Sequence, residues 1–133
     1  MSYKKKILIC DDDPGIMDLM EVILVDSGYE VFAASNSLLV KALIEKETPD
    51  LVILDLWMPV LSGDLVLQLI RQMPERSELP VVAISAGRDA KRIATEAGAN
   101  AFVAKPFDID HFLAIVSQSL HLEAVLRDAN VIN

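Results

Sequence analysis

The stretch Leu51-Val52-Ile53-Leu54-Asp55-Leu56-Trp57-Met58-Pro59 decides the architecture. Four apolar residues, β-branched at two positions, end abruptly in a carboxylate, and the chain then turns through Met58-Pro59 and Ser62-Gly63. A short continuous apolar run bounded by turn residues reads as a strand buried on both faces, and such strands belong to parallel sheets. Three other runs end the same way. Ile7-Leu8-Ile9-Cys10 stops at Asp11-Asp12-Asp13, Val81-Val82-Ala83-Ile84 stops at Ser85, and Ala101-Phe102-Val103-Ala104 stops at Lys105-Pro106. In an open parallel sheet, ligands bind beyond the carboxyl ends of the strands, so these polar stops converge on one crevice.

Between the strands lie helical patterns, five strand–helix units in all, with a fifth strand-like run at Tyr29 to Ala34. Asp13 is the expected N-cap of the first helix and Pro14 its first residue, with Gly28 as its stop. The second helix is expected from about Ser37 to Lys46, ended by Thr48-Pro49. The third is expected from Gly63 to Met73, the fourth from Ala90 to Ala97 with Gly98 beyond it, and the fifth follows Asp108. Strands one, three and four are the continuously apolar ones and belong in the middle. Strand two carries Glu30, and strand five is short and rich in small residues, so these two suit the edges. The order 2-1-3-4-5 satisfies that assignment and sets the acid pair and Asp55 on either side of the switch point.

Composition narrows the function classes. At 133 residues there is room for one domain with a real core. No apolar run approaches the roughly 18 residues that a membrane span needs, so a soluble chain is expected. The Lys4-Lys5-Lys6 cluster leads into a strand without a small-residue cleavage site, and a single cysteine builds no disulfide framework, which together point to a cytoplasmic location. A net charge of −8 argues against direct binding of nucleic acid, which needs a basic face. His111 and His121 fall away from the strand ends and are expected at the surface. Met17, Met20, Met58 and Met73 are expected in core or loop packing.

The acid pair Asp11-Asp12, the Asp55 stop with Met58-Pro59 and Gly63, the Ser85-Ala86 stop and Lys105-Pro106-Phe107 together resemble the receiver domain of two-component response regulators, the CheY-like family. The spacings resemble that family's as well, 43 residues from Asp12 to Asp55, 30 more to Ser85 and 20 more to Lys105. The resemblance covers the chain to about residue 121, leaving residues 122–133 as a C-terminal helical extension or the start of a linker helix. It implies a flavodoxin-like doubly wound α/β fold with helices on both faces of the sheet.

It also implies a set of roles. Asp55 would accept a phosphoryl group from a phosphohistidine, with Mg²⁺ or Mn²⁺ held by Asp11, Asp12, Asp55 and the Trp57 backbone carbonyl. Ser85 and Lys105 would bind the phosphoryl oxygens, Phe102 would follow Ser85 as a switch, and Pro59, Gly63, Gly87 and Pro106 would shape the site, the Lys105-Pro106 bond being cis. The chemistry is reasonable for these residues. A carboxylate attacks phosphorus only if the phosphoryl oxygens are neutralised, and hard Mg²⁺ prefers oxygen ligands.

The implied partners are a sensor histidine kinase or a histidine phosphotransfer protein, and a downstream protein or an output domain outside this chain. A phosphorylation-dependent homodimer through the face of the fourth helix, fifth strand and fifth helix is a further expectation, and the chain is not expected to act as an enzyme on a separate substrate. Trp57 departs from the polar side chains common in the family two residues after the phosphoacceptor, and its ring is expected to overhang the pocket. Two other functions compete. A pseudo-receiver would act as an interaction module without phosphorylation, although the complete residue set argues otherwise. A phosphatase of the haloacid-dehalogenase kind would carry an acid two residues after its nucleophile, where this chain has Trp57.

Overall fold

The computed structural model describes the backbone of residues 3–132 and the side chains of residues 3–121. In chain order the elements are β1 (Lys6–Cys10), α1 (Pro14–Asp26), β2 (Glu30–Ala34), a short 3-10 turn (Ser37–Leu39) running into α2 (Val40–Glu47), β3 (Leu51–Asp55), α3 (Gly63–Gln72), β4 (Val81–Ser85), α4 (Ala90–Ala97), β5 (Ala101–Ala104) and α5 (Ile109–Ile132). The five strands form one parallel sheet in the order β2-β1-β3-β4-β5, as the burial argument required. β3 and β4 are buried along their whole length, whereas β2 and β5 keep exposed positions at the two edges.

Alternation along the strands sends side chains to opposite faces. Ile7, Ile9, Leu51, Ile53, Val82, Ile84 and Val103 pack with Met20, Ile23 and Leu24 of α1 and with Phe112 and Val116 of α5. Leu8, Cys10, Val52 and Leu54 pack instead with Val40 and Ile44 of α2 and with Val66, Leu67 and Ile70 of α3. A smaller cluster of Leu56, Ala83, Ala90 and Ala94 seats α4. Helices therefore cover both faces, and burying each large aliphatic side chain contributes roughly 1.5–3 kcal/mol.

Element ends follow hydrogen-bond chemistry. Asp13 accepts from the N–H groups of Gly15 at 2.8 Å and Ile16 at 3.3 Å and so starts α1. At its other end Gly28, at φ +98°, sends its N–H to Val25 O, and the Tyr29 N–H goes to Leu24 O. That is a Schellman closure, and it explains why β2 begins at Glu30 rather than Tyr29, whose donor is already used. Gly98 closes α4 in the same way through the Gly98 N–H to Thr95 O and the Ala99 N–H to Ala94 O. The second helix departs from expectation. Asn36 caps a 3-10 turn by accepting from the Leu38 N–H at 2.9 Å, so the α-helix proper starts only at Val40 and ends after Glu47, where Thr48 adopts φ +47°. α3 ends at Gln72, because Met73 precedes Pro74 and is extended.

α5 continues without a break to Ile132, so the helical reading of the tail agrees with its backbone. The side chains of residues 122–133, and with them any docking role, lie outside the described residues. His111 and His121 are exposed, and the four methionines named above are buried or half-buried, Met58 in the loop after β3. No helix among the described residues is long and apolar enough to cross a membrane.

The loop after β3 is pinned at its end by the Gly63 N–H bonding Leu56 O at 2.8 Å. A Cβ at Gly63 would run into the Asp55 carbonyl oxygen and come within 2.7 Å of Leu56 Cα, both rigid backbone. Gly63→Ala is therefore expected to destabilise the fold by about 3 kcal/mol or more, read as a fall in melting temperature of roughly 10 °C. An unchanged melting temperature would show that the loop yields more easily than its geometry indicates.

Candidate functional site

The register brings the polar stops to one level. Cys10 pairs with Leu54, Asp55 with Ile84 and Ser85 with Ala104, so Asp11, Asp55, Ser85 and Lys105 emerge side by side at the carboxyl edge of the sheet. Asp11 and Asp55 are nearly sealed from solvent, at 4 % and 2 % exposure, while Asp12 is exposed beside them. One carboxylate oxygen from each of the three lies within 4.8 Å of the others. Lys105 Nζ sits 2.7 Å from Asp11 Oδ2 and 3.5 Å from Asp55 Oδ2.

The electrostatics of this cluster are frustrated. Burial, then the charge of Asp11, pushes the Asp55 carboxyl up to about 6, although Lys105 and the Trp57 backbone N–H, 3.3 Å from Asp55 Oδ1, pull the other way. For Lys105, burial alone would lower the ammonium, but contact with Asp11 and the charges of Asp55 and Asp11 outweigh it and the net shift is upward. Burial, with the same three carboxylates behind it, drives the Cys10 thiol to about 12. Cys10 thus remains a neutral packing group whose thiol points at Met58 Sδ, 3.5 Å away.

The residue set suits a hard divalent cation. All three donors are carboxylates, as Mg²⁺ prefers. Asp11 Oδ2, moreover, is buried without a hydrogen-bond donor in good geometry. It forms a close ion pair with the Lys105 ammonium, 2.7 Å away. Asp11 Oδ1 is already engaged by the Asp13 N–H at 2.9 Å. Three carboxylates facing one ammonium leave a net negative charge that a divalent cation would offset.

The other anticipated residues fall around this cluster. Ser85 is buried at 1 % exposure, and its hydroxyl donates to Ala86 O at 3.4 Å rather than to Asp55. Phe102 is half-buried and packs on the cluster under α4. The Lys105-Pro106 bond is cis and Gly87 takes φ +115°. Pro59 accepts the Ser37 hydroxyl at 3.4 Å, which ties the loop after β3 to the start of the second helical region. Trp57 is about half exposed, and its indole N–H donates to Ala86 O at 2.7 Å. That acceptor was not anticipated, since a backbone carbonyl has no signature in sequence. Trp57 two residues after Asp55 was the only clue.

The raised Asp55 carboxyl fixes a sign. A group held at about 6 when folded and at 3.8 when unfolded supports the fold below pH 4 and loses that support as pH rises through 6. In chelator at pH 7.5, Asp55→Asn should be more stable than the wild type by roughly 1–3 kcal/mol. Denaturation curves should show that gap closing toward pH 4, and a gap independent of pH would mean that the carboxylate is not under strain.

Comparison with known proteins places the chain. The family model for the response regulator receiver domain matches residues 7–117. Sporulation initiation phosphotransferase F of Bacillus subtilis is 34 % identical over 120 residues, which cover 90 % of this chain and 97 % of that protein. The DNA-binding dual master transcriptional regulator RpaA of Synechocystis is 37 % identical over 113 residues, 84 % of this chain but only 47 % of that protein. The chain thus spans about half of one relative and nearly all of the other. Among solved structures, the receiver domain of NtrX from Brucella abortus superposes with a TM-score of 0.79 at 35 % identity, over 86 % of this chain and 98 % of that one. With its sheet order matching and the family model spanning all five strands, this chain belongs to the response regulator receiver domains of two-component systems, in the CheY-like doubly wound fold.

Proposed function

We propose that residues 1–121 form a receiver that takes a phosphoryl group from a phosphohistidine onto Asp55, with residues 122–133 as an extension or linker. The observation that carries this reading is Asp55 itself, a sealed carboxylate at a strand end with the Lys105 ammonium 3.5 Å away and two more carboxylates alongside. The Asp55 oxygen would form the new bond to phosphorus as the phosphorus–nitrogen bond to the donor imidazole breaks. Asp11, Asp12, Asp55 and the Trp57 carbonyl would hold Mg²⁺ or Mn²⁺, which when bound neutralises phosphoryl oxygens and acidic cluster alike. Three carboxylates then face a divalent ion and one ammonium, and the resting pocket is near neutral.

Phosphorylation makes that pocket more negative, since a phosphoryl group with about −1.5 to −2 charge replaces a single carboxylate charge. Lys105 would bond one of its oxygens and the Ser85 hydroxyl would leave Ala86 O for another. Phe102, packed on the cluster of Leu56, Ala83, Ala90 and Ala94, would respond, so that the change would be read on the surface of α4, β5 and α5. A downstream protein, an output domain or a second copy of the chain would bind there, and a sensor histidine kinase or phosphotransfer protein would supply the phosphoryl group in the cytoplasm. No separate substrate is turned over; the chemistry is confined to the chain's own phosphorylation and dephosphorylation.

Incubation with a small phosphodonor and Mg²⁺, followed by intact-mass measurement, should add one phosphoryl group to the wild type and none to Asp55→Asn. No adduct from small donors or from phosphorylated kinases would leave an interaction module with an acidic pocket. Saturating Mg²⁺ should also raise the melting temperature of the wild type, and by less in Asp55→Asn; an unchanged melting temperature would remove the metal site.

A further inference from the structure

Trp57 touches both halves of the site. Its backbone N–H reaches Asp55 Oδ1 at 3.3 Å, and its indole N–H reaches Ala86 O at 2.7 Å, across 29 positions of sequence. Ala86 directly follows Ser85, whose hydroxyl donates more weakly to that same carbonyl at 3.4 Å. One acceptor is therefore shared by the candidate switch hydroxyl and by a side chain from the loop of the candidate phosphoacceptor. Residues 86–89 are exposed and include Gly87 at φ +115°, a stretch with no core packing to hold it.

An exposed carbonyl such as Ala86 O would find water if the indole were absent, so this bond is not needed to satisfy a buried polar group. Its effect is positional. It draws the loop after β4 toward the residue that follows Asp55 by two. Trp57 is itself about half exposed, at 47 %, so little core packing depends on its indole N–H. A Cβ at Gly87 would lie 3.8 Å from Trp57 Nε1, an ordinary contact, so that glycine is required by its φ rather than by crowding under the ring.

We propose that Trp57 is a positioning residue whose indole N–H, by holding the Ala86 carbonyl, keeps the loop that follows Ser85 closed toward Asp55 and so readies the Ser85 hydroxyl at the end of β4 for the phosphoryl group. The proposal rests on Asp55 being the phosphoacceptor. It differs from a roof that merely shields Asp55 from water, because a roof needs the ring and not the N–H, and acts whether or not Ser85 has a hydroxyl.

The test is a double-mutant cycle on the full chain, with beryllofluoride and Mg²⁺ as the mimic of the bound phosphoryl group and affinity read by calorimetry. Trp57→Phe keeps a ring and removes the donor, and should weaken beryllofluoride binding roughly two- to tenfold, the span of one hydrogen bond. In a Ser85→Ala background the same change should have no further effect, because the tether acts through that hydroxyl. Trp57 is the only tryptophan, so its emission in the wild type should change saturably along the titration. Unchanged or tighter binding in Trp57→Phe overturns the proposal, as does an undiminished effect of Trp57→Phe without the Ser85 hydroxyl. A wild type that neither binds beryllofluoride nor takes up a phosphoryl group overturns the receiver reading and the tether with it, whereas a responsive wild type with an indifferent Trp57→Phe removes the tether alone.

Discussion

The burial of Asp11 and Asp55 around a single ammonium is the constraint on which the rest of this structure depends. Two like charges sealed at the end of a sheet repel one another and forgo hydration, and Lys105 compensates only in part, as the upward shift of Asp55 to about 6 records. Such a cluster persists only if the surrounding fold is stable enough to hold it. Here the holding is done by β1, β3 and β4, whose apolar side chains are sealed on both faces below the charges. Local instability at the strand ends is carried by a continuous core beneath them.

The parallel topology brings the charges together through register rather than through long side chains. Because β1 lies between β2 and β3, Asp11 leaves the sheet next to Asp55 and needs only one bond from its side chain, to the Asp13 N–H, to stay there. Asp13 in turn caps α1, so the three consecutive acids divide the work: Asp11 is sealed, Asp12 faces solvent and the cluster, and Asp13 starts a helix. Gly63 lets α3 begin directly over the Asp55 backbone, which a side chain would forbid. The site is therefore built from backbone pairing, and the long Lys105 side chain reaches into it from just beyond β5.

Much of this was legible in the sequence because its causes are local. Continuous apolar runs reported sheet-central strands, the stops at Asp11, Asp55, Ser85 and Lys105 reported strand ends, and Asp13, Gly28 and Gly98 reported caps. β1, β3, β4 and β5 appear where those signals placed them. What escaped depends on backbone acceptors and on competition for donors. The Asn36 side chain diverts the second helix into a 3-10 turn first, and the Tyr29 N–H closes α1 instead of joining β2. Val60, at φ +72° and 86 % exposed, adopts a backbone that a β-branched residue rarely takes, and nothing in its own sequence neighbourhood announces it. The acceptor of the Trp57 indole was invisible for the same reason, since any residue type at position 86 would offer the same carbonyl.

A second backbone-directed side chain shows how unevenly α4 is held. Arg71 sends its Nε and Nη2 to Gly98 O at 3.1 and 2.8 Å, its Nη1 to Ser77 O and Leu79 O, and Nη2 again to Asn100 Oδ1, which also accepts from the Val81 N–H. Burial lowers this guanidinium from its ordinary range, with Glu78 acting in the opposite direction, so its charge is stabilised chiefly by carbonyl and amide oxygens. Those five contacts match the five donors a guanidinium carries, and shifting the Gly98 end of α4 would break two of them at once in a partly dehydrated setting. The Ala90 end packs on the cluster of Leu56, Ala83 and Ala94, and the exposed loop before it is held to the rest of the site through the Ala86 carbonyl. The side-chain hydrogen bonds at the two ends of α4 are therefore unequal, two from Arg71 to Gly98 O at the far end and one from the Trp57 indole to the loop before the near end.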